Sequence, residues 1–145
     1  MLERLNALDF EDVFRLMALS FPENEYRTRE DQRALLDDPD YRLYGLRGEA
    51  GVSALCAVWA LSDRLFIEHL AVDPSQRNGG VGGRFLDDVI AACKMPAVLE
   101  VEPPETEMAR RRIGFYQRHG FFLNEYDYHQ LPLRAGQEKL PLLLM

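Results

Sequence analysis

Apolar residues recur along this chain with two different periods, and the changes of period mark its elements. Phe10, Val13, Phe14 and Met17 repeat at three and four, which predicts a helix over 10–20. Asp9 is its expected N-cap, with Asp12 three residues on, and Phe21-Pro22 ends it. Thr28 is placed to cap a second short helix that buries Leu35 and Leu36, before a turn at Asp37-Asp38-Pro39-Asp40. Met1 to Leu5 reads as a short first strand, Tyr41 to Arg47 as a second, and Gly48 to Gly51 as a hairpin turn. VSALCAVWA, from Val52 to Ala60, is apolar almost throughout and predicts a central strand covered on both faces. A further strand begins at Leu65 and closes at Asp73-Pro74. Beyond it Val81, Phe85, Val89, Ile90 and Cys93 share one helical face.

The rest alternates in the same way. Pro96 to Val101 predicts a strand, broken by Pro103-Pro104, and Thr106 caps a helix to His119, with Gly120 where a helix end wants a left-handed residue. Phe121 to Tyr128 reads as a strand, Arg134 to Lys139 as a polar loop, and Leu140 to Met145 as the last strand. Pro141 suits an edge or first-residue position there. The predicted order β-α-α-β-β-β-α-β-α-β-β gives an α/β protein: a mixed sheet with helices on both faces, in one domain over 1–145.

Composition narrows the function classes. A net charge of −7 argues against nucleic acid as the main partner and suits a cationic one. No apolar run approaches the ~20 residues of a membrane span, and the charged start MLERLNALDFED is unlike a signal peptide. Cys56 and Cys93 both sit in apolar segments and read as reduced core thiols, so the expected location is the cytoplasm. Three scattered histidines show no metal-ligand spacing, and no GxSxG elbow supports a serine hydrolase.

The most informative stretch is SQRNGGVGG, between the strand that ends at Val72 and the helix that begins near Val81. A glycine loop feeding a helix N-terminus is built to hold a phosphate: the backbone approaches closely, and the first helical amides have no internal partner. Arg77 and Arg84 add positive charge. The P-loop pattern fails because Gly83 is followed by Arg84-Phe85 and not by Lys and a hydroxyl residue. The dinucleotide pattern GxGxxG is absent as well.

What stands there is Arg77-x-x-Gly80-x-Gly82 after Leu70-Ala71-Val72-Asp73-Pro74, and this resembles the pyrophosphate-binding motif of the GNAT N-acetyltransferase superfamily. IGFYQRHGF, from Ile113 to Phe121, resembles that family's second signature. The resemblance covers about 65–122 and implies a single N-acetyltransferase domain of the acyl-CoA N-acyltransferase fold, whose fourth and fifth strands splay apart. It implies acetyl-CoA as co-substrate, without a metal. Leu70, Ala71 and Val72 would lie along the pantetheine arm, and Arg77, Asn78, Gly79, Gly80, Val81, Gly82 and Gly83 around the pyrophosphate. Tyr116 would take the general-acid position toward the sulfur. One departure stands out: many members carry an Asn near the start of the last helix, and no Asn occurs here between Asn78 and Asn124.

Acetyl transfer to an amine needs a group to take a proton, because a free alkylamine has a pKa near ~10. Glu68 is the candidate base: it stands mid-strand among apolar residues, where a carboxylate is costly unless solvated, paired or useful. The bland alternative pairs it with Arg64 or Arg47. His69, its neighbour, should point to the opposite face and read as buried or paired. Arg110-Arg111-Arg112 is more simply a solvated face than a phosphate contact. The acceptor should meet Phe21 to Arg27 and Tyr126 to Arg134, which offer Glu23, Glu25, Tyr26, Tyr126, Asp127 and Tyr128, with Glu100 and Glu102 facing the cleft. The expected partner is thus a small-molecule or peptide amine, with neither nucleic acid nor membrane; a homodimer is left open. A coenzyme A-binding sensor without catalysis is the alternative from another class.

Overall fold

The computed structural model describes residues 1–145, the side chain of Asp127 excepted. Its strands are β1 (Glu3–Arg4), β2 (Tyr41–Gly48), β3 (Gly51–Ala60), β4 (Leu65–Val72), β5 (Ala97–Val101), β6 (Asn124–Gln130) and β7 (Leu140–Leu144). Its helices are α1 (Phe10–Ser20), α2 (Arg29–Ala34), α3 (Val81–Cys93) and α4 (Glu107–Arg118). The order along the chain is the predicted one. The strands form one mixed sheet, β1-β2-β3-β4-β5-β7-β6, in which only β4 and β5 run parallel.

The nearly continuous apolar run of β3 has a direct cause. Val52, Leu55 and Ala57 pack with Val13, Leu16 and Met17 of α1, while Ala54, Cys56 and Val58 pack with Phe85, Leu86 and Val89 of α3 and Ile113 and Tyr116 of α4. Both faces of the strand lie in a core, so apolar residues fill it, and its buried Ser53 satisfies its hydroxyl by donating to the Leu46 carbonyl at 3.2 Å.

In β4 the alternation breaks. Ala57 pairs with His69 and Val58 with Ile67, which leaves Glu68 as an extra residue, a β-bulge. The bulge exchanges the faces: Leu65 and Ile67 belong to the α3/α4 core, but Ala71 belongs to the α1 core. The parallel ladder with β5 also stops early, pairing Leu65, Phe66 and Ile67 with Ala97, Val98 and Leu99 and going no further. Past the bulge the two strands part, and β5 turns to β7 through Glu100–Leu144 and Val101–Leu143.

Local details correct the sequence reading in four places. Asp9 does not cap α1 with its side chain. It closes a capping box with Asn6 on the preceding turn and pairs with Arg47 at 2.8 Å. Thr28 caps α2 as expected, but that helix buries Gln32, which donates to Tyr41 Oη at 2.7 Å, while Leu35 and Leu36 are half-buried. β6 begins at Asn124, because Gly120 at φ +87° turns the chain and sends Phe121 into the α3/α4 core. Pro141 sits in an interior strand and not at an edge, opposite His129 of β6 and beyond the reach of the β5 ladder. Cys56 and Cys93 are both free, with Cys56 in the core.

Candidate active site

The glycine loop and α3 shape one wall of a groove of about 910 Å³. Asn78 (φ +78°) and Gly80 (φ +68°) take left-handed conformations that carry the chain from β4 into the helix. Gly80 is the N-cap of α3, so the amides that follow it lack intrahelical partners. A Cβ at Gly82 would come no nearer than 3.4 Å to any side chain, whereas one at Gly83 would meet His119 at 2.7 Å. Gly82 thus keeps the groove open, and Gly83 lets α3 approach the end of α4. Arg77 Nε donates to the Val72 carbonyl at 3.1 Å, which fixes the loop against the strand.

Nine of the ten residues expected around the cofactor line this groove: Leu70, Ala71, Val72, Arg77, Asn78, Gly80, Val81, Gly82 and Gly83. Gly79 does not line it; its carbonyl accepts from Arg84 Nη2, so Arg84 braces the loop from behind. Arg111 and Arg112 line the opposite wall, while Arg110 turns back to the Pro104 carbonyl. A loop with unpaired amides, a free β4 edge and arginines on two sides is a fitting bed for an extended pyrophosphate ligand.

Where β4 and β5 part lies a second, smaller cavity of about 80 Å³. Phe21, Leu70, Arg112 and Tyr116 line both spaces, so the groove and the cavity meet at Tyr116. Burial pushes the Tyr116 hydroxyl up to about 12, so it holds its proton at neutral pH. Its ring is fixed edge-on between Phe115 and Phe121.

Glu68 lines the cavity with its carboxylate almost fully buried and gripped by Arg27 through two bonds of 2.7 and 2.8 Å. Neither Arg64 nor Arg47 is its partner: they pair with Asp63 and with Glu3 and Asp9. His69 does not point away from Glu68. The bulge brings both to the same side, with His69 Nδ1 3.6 Å from Glu68 Oε2. Burial lowers the His69 pKa and keeps the ring neutral, and its Nε2 donates to the Glu25 carbonyl at 2.6 Å. Glu25, Glu100 and Glu102 complete the lining. Burial raises the carboxyl pKa of Glu25, with Glu102 adding to the effect, and raises that of Glu100. Tyr128 Oη donates to Glu100 at 3.1 Å.

The two acceptor segments are tied together. Arg134 lies over the Tyr26 ring at 4.8 Å, donates to the carbonyls of Tyr26 and Arg27 at 2.8 and 3.3 Å, and pairs with Glu23 at 3.5 Å. Tyr26 and Glu23 therefore serve the strap and not the cavity, and Tyr126 is exposed away from it. The Asp127 side chain lies outside the described residues. Sequence reasoning missed Arg27 as the partner of Glu68, the cavity-facing His69, and Gln130. The only sequence signal for the first two was a polar pair, Glu68-His69, inside an apolar strand. Among the described residues no group of His, Cys, Asp and Glu could hold a metal, and no helix is long and apolar enough to cross a membrane.

Comparison with known proteins agrees with this geometry. A family model for the acetyltransferase (GNAT) domain matches residues 38–122. A Bacteroides thetaiotaomicron protein assigned to the GNAT acetyltransferase family superposes with a TM-score of 0.89 at 36% identity, covering 99% of this chain and 84% of that one. Two more distant structures share the fold. The Escherichia coli ribosomal-protein-S18-alanine N-acetyltransferase has a TM-score of 0.73 at 16% identity, over 99% of this chain and 90% of that one. A GNAT acetyltransferase of Elizabethkingia anophelis with acetyl-CoA bound has a TM-score of 0.68 at 17% identity, over 99% and 94%. No curated protein matches the sequence.

Proposed function

Because the chain belongs to the GNAT acetyltransferase family, we propose that it transfers the acetyl group of acetyl-CoA directly to a primary amine, one that carries further positive charge. The observation that carries this reading is the meeting of a phosphate-binding groove and an acidic cavity at a single protonated tyrosine, Tyr116.

Bound acetyl-CoA supplies an activated acetyl thioester. The chain's own residues do the rest. The α3 N-terminus and Arg77 hold the pyrophosphate, and the free edge of β4 at Leu70, Ala71 and Val72 offers backbone groups to the pantetheine amides. Tyr116 keeps a proton at the point where the sulfur leaves, and Glu68 supplies the negative charge on which removal of the amine's proton depends. Glu25, Glu100 and Glu102 outweigh Arg112 around the cavity, which favours an ammonium group. The cavity admits the amino group and a short stem, so the remainder of the acceptor lies outside it.

The bidentate grip of Arg27 on Glu68 favours a second reading, a coenzyme A binder without turnover. Donor consumption with matched cationic, neutral and anionic primary amines, at low and high ionic strength, separates the two. The cationic amine should have the highest kcat/KM, and its advantage should shrink as salt screens the cavity. Binding of acetyl-CoA without turnover of any amine would establish the second reading. A preference for the anionic amine would refute the acceptor assignment.

A further inference from the structure

We propose that His69 Nδ1 is the atom that takes the proton from the acceptor amine, and that Glu68, held by Arg27, stabilises the imidazolium that forms. The inference rests on the transferase reading and deepens it.

A backbone carbonyl can only accept, so the 2.6 Å contact with Glu25 places the ring hydrogen on Nε2. The neutral ring then presents a bare lone pair at Nδ1. That atom is buried and has no hydrogen-bond partner, in a residue that is 3% exposed and lines the cavity. Its nearest charged neighbour is Glu68 Oε2 at 3.6 Å, also an acceptor. Two acceptors side by side with no donor between them are unfavourable when empty and well matched to an incoming N–H. Across the strand gap, Glu100 Oε2 is likewise buried without a partner. An ammonium group donating to both strands satisfies these orphaned acceptors together.

Glu68 is a poor first acceptor by comparison, because both its oxygens are engaged by Arg27. As a fixed counter-charge it makes protonation of His69 easier without leaving its place. The charged and titratable groups facing His69 are Glu68 on its own strand, Glu25 and Arg27 before α2, Glu100 on β5 and Glu102 just after it, and Arg112 and Tyr116 on α4. In the step, an N–H bond breaks, its electron pair stays on nitrogen, and the proton forms a bond to Nδ1, from which it later returns to solvent. The second proton lost by the nitrogen balances the one that Tyr116 delivers to the sulfur.

His69→Gln keeps a donor for the Glu25 carbonyl and removes the lone pair at Nδ1. We expect kcat for the preferred amine to fall by ~10²-fold or more. Affinity for acetyl-CoA should be unchanged, and the acid limb of the kcat/KM profile, which burial sets below the ordinary imidazole range, should vanish. Nitrogen-15 NMR of the wild-type protein should show His69 protonated at Nε2 and bare at Nδ1 at pH 7, a readout independent of how the variant folds. A variant with wild-type kcat and an intact acid limb, or a ring protonated at Nδ1 in the free protein, would overturn the assignment while leaving the transferase reading in place. Absence of turnover by the wild type with every amine would instead remove the transferase reading and this proposal together.

Discussion

Replacing Arg27 by Met should destabilise the fold by about 3 kcal/mol, and the size of that loss should depend on pH. Arg27 and Glu68 share two bonds of 2.7 and 2.8 Å, with 16% and 5% of their side chains exposed. Removing one member of a buried ion pair typically costs ~3–5 kcal/mol, because the other charge is left uncompensated. The residual exposure of Arg27 lets some water reach the carboxylate, which places the expectation at the lower end. For a domain of this size that is a fall in Tm of roughly 6–12 °C. Methionine fills much of the same apolar volume, so the loss reports the charge and not a cavity. The stranded carboxylate can relieve its cost by taking a proton in the folded state. The folded variant then binds more protons than its unfolded chain, and its stability falls as pH rises. The deficit against wild type should therefore be smaller at pH 5 than at pH 8. Arg27→Met/Glu68→Gln should be more stable than Arg27→Met alone, since the double variant buries no lone charge. Urea melts of wild type and the two variants at both pH values measure all of this. A loss below about 1 kcal/mol, or one independent of pH, would show that water already solvates Glu68 and that the pair does not organise the cavity.

Other expectations can be checked with the same preparations. Acetyl-CoA at ~100 times its Kd should add ~2.7 kcal/mol of stability, seen as a Tm rise of several degrees that ATP and NAD do not match. Gly82→Asp should abolish that rise with little change in the unliganded Tm, since its Cβ has room but its charge opposes the anion. Gly83→Ala should instead lower the unliganded Tm, because its Cβ collides with His119. Tyr116→Phe should lower kcat by ~10²-fold while leaving acetyl-CoA affinity intact; because burial raises the hydroxyl's pKa, the wild type should keep this donor up to about pH 12, with no basic limb from Tyr116 near neutrality.

Periodicity in the chain determined nearly every element, because most of the helices and strands bury one face or both and write that burial into the order of their residues. The apolar run of β3 announced a strand between two cores, and the Arg77–Gly83 segment announced a glycine loop at the head of a helix, since both depend on contacts within a few residues of each other. The wall of the groove was legible for the same reason. The cavity between β4 and β5 was not. Its form depends on one extra residue in β4, and a period-two pattern read along a single strand cannot show a shift that exists only relative to the strand beside it. That bulge turned His69 toward Glu68 and reversed the expected orientation. The partner of Glu68 lay 41 residues away, on a loop carried there by α1, and any of several arginines would have served equally well on sequence grounds. Arg134, 107 residues from the Arg27 carbonyl it holds, was equally invisible. Local hydrogen bonding and burial periodicity are properties of neighbours in sequence. Charge pairing and the orphaned lone pair at His69 are properties of neighbours in space, and only the folded sheet decided them.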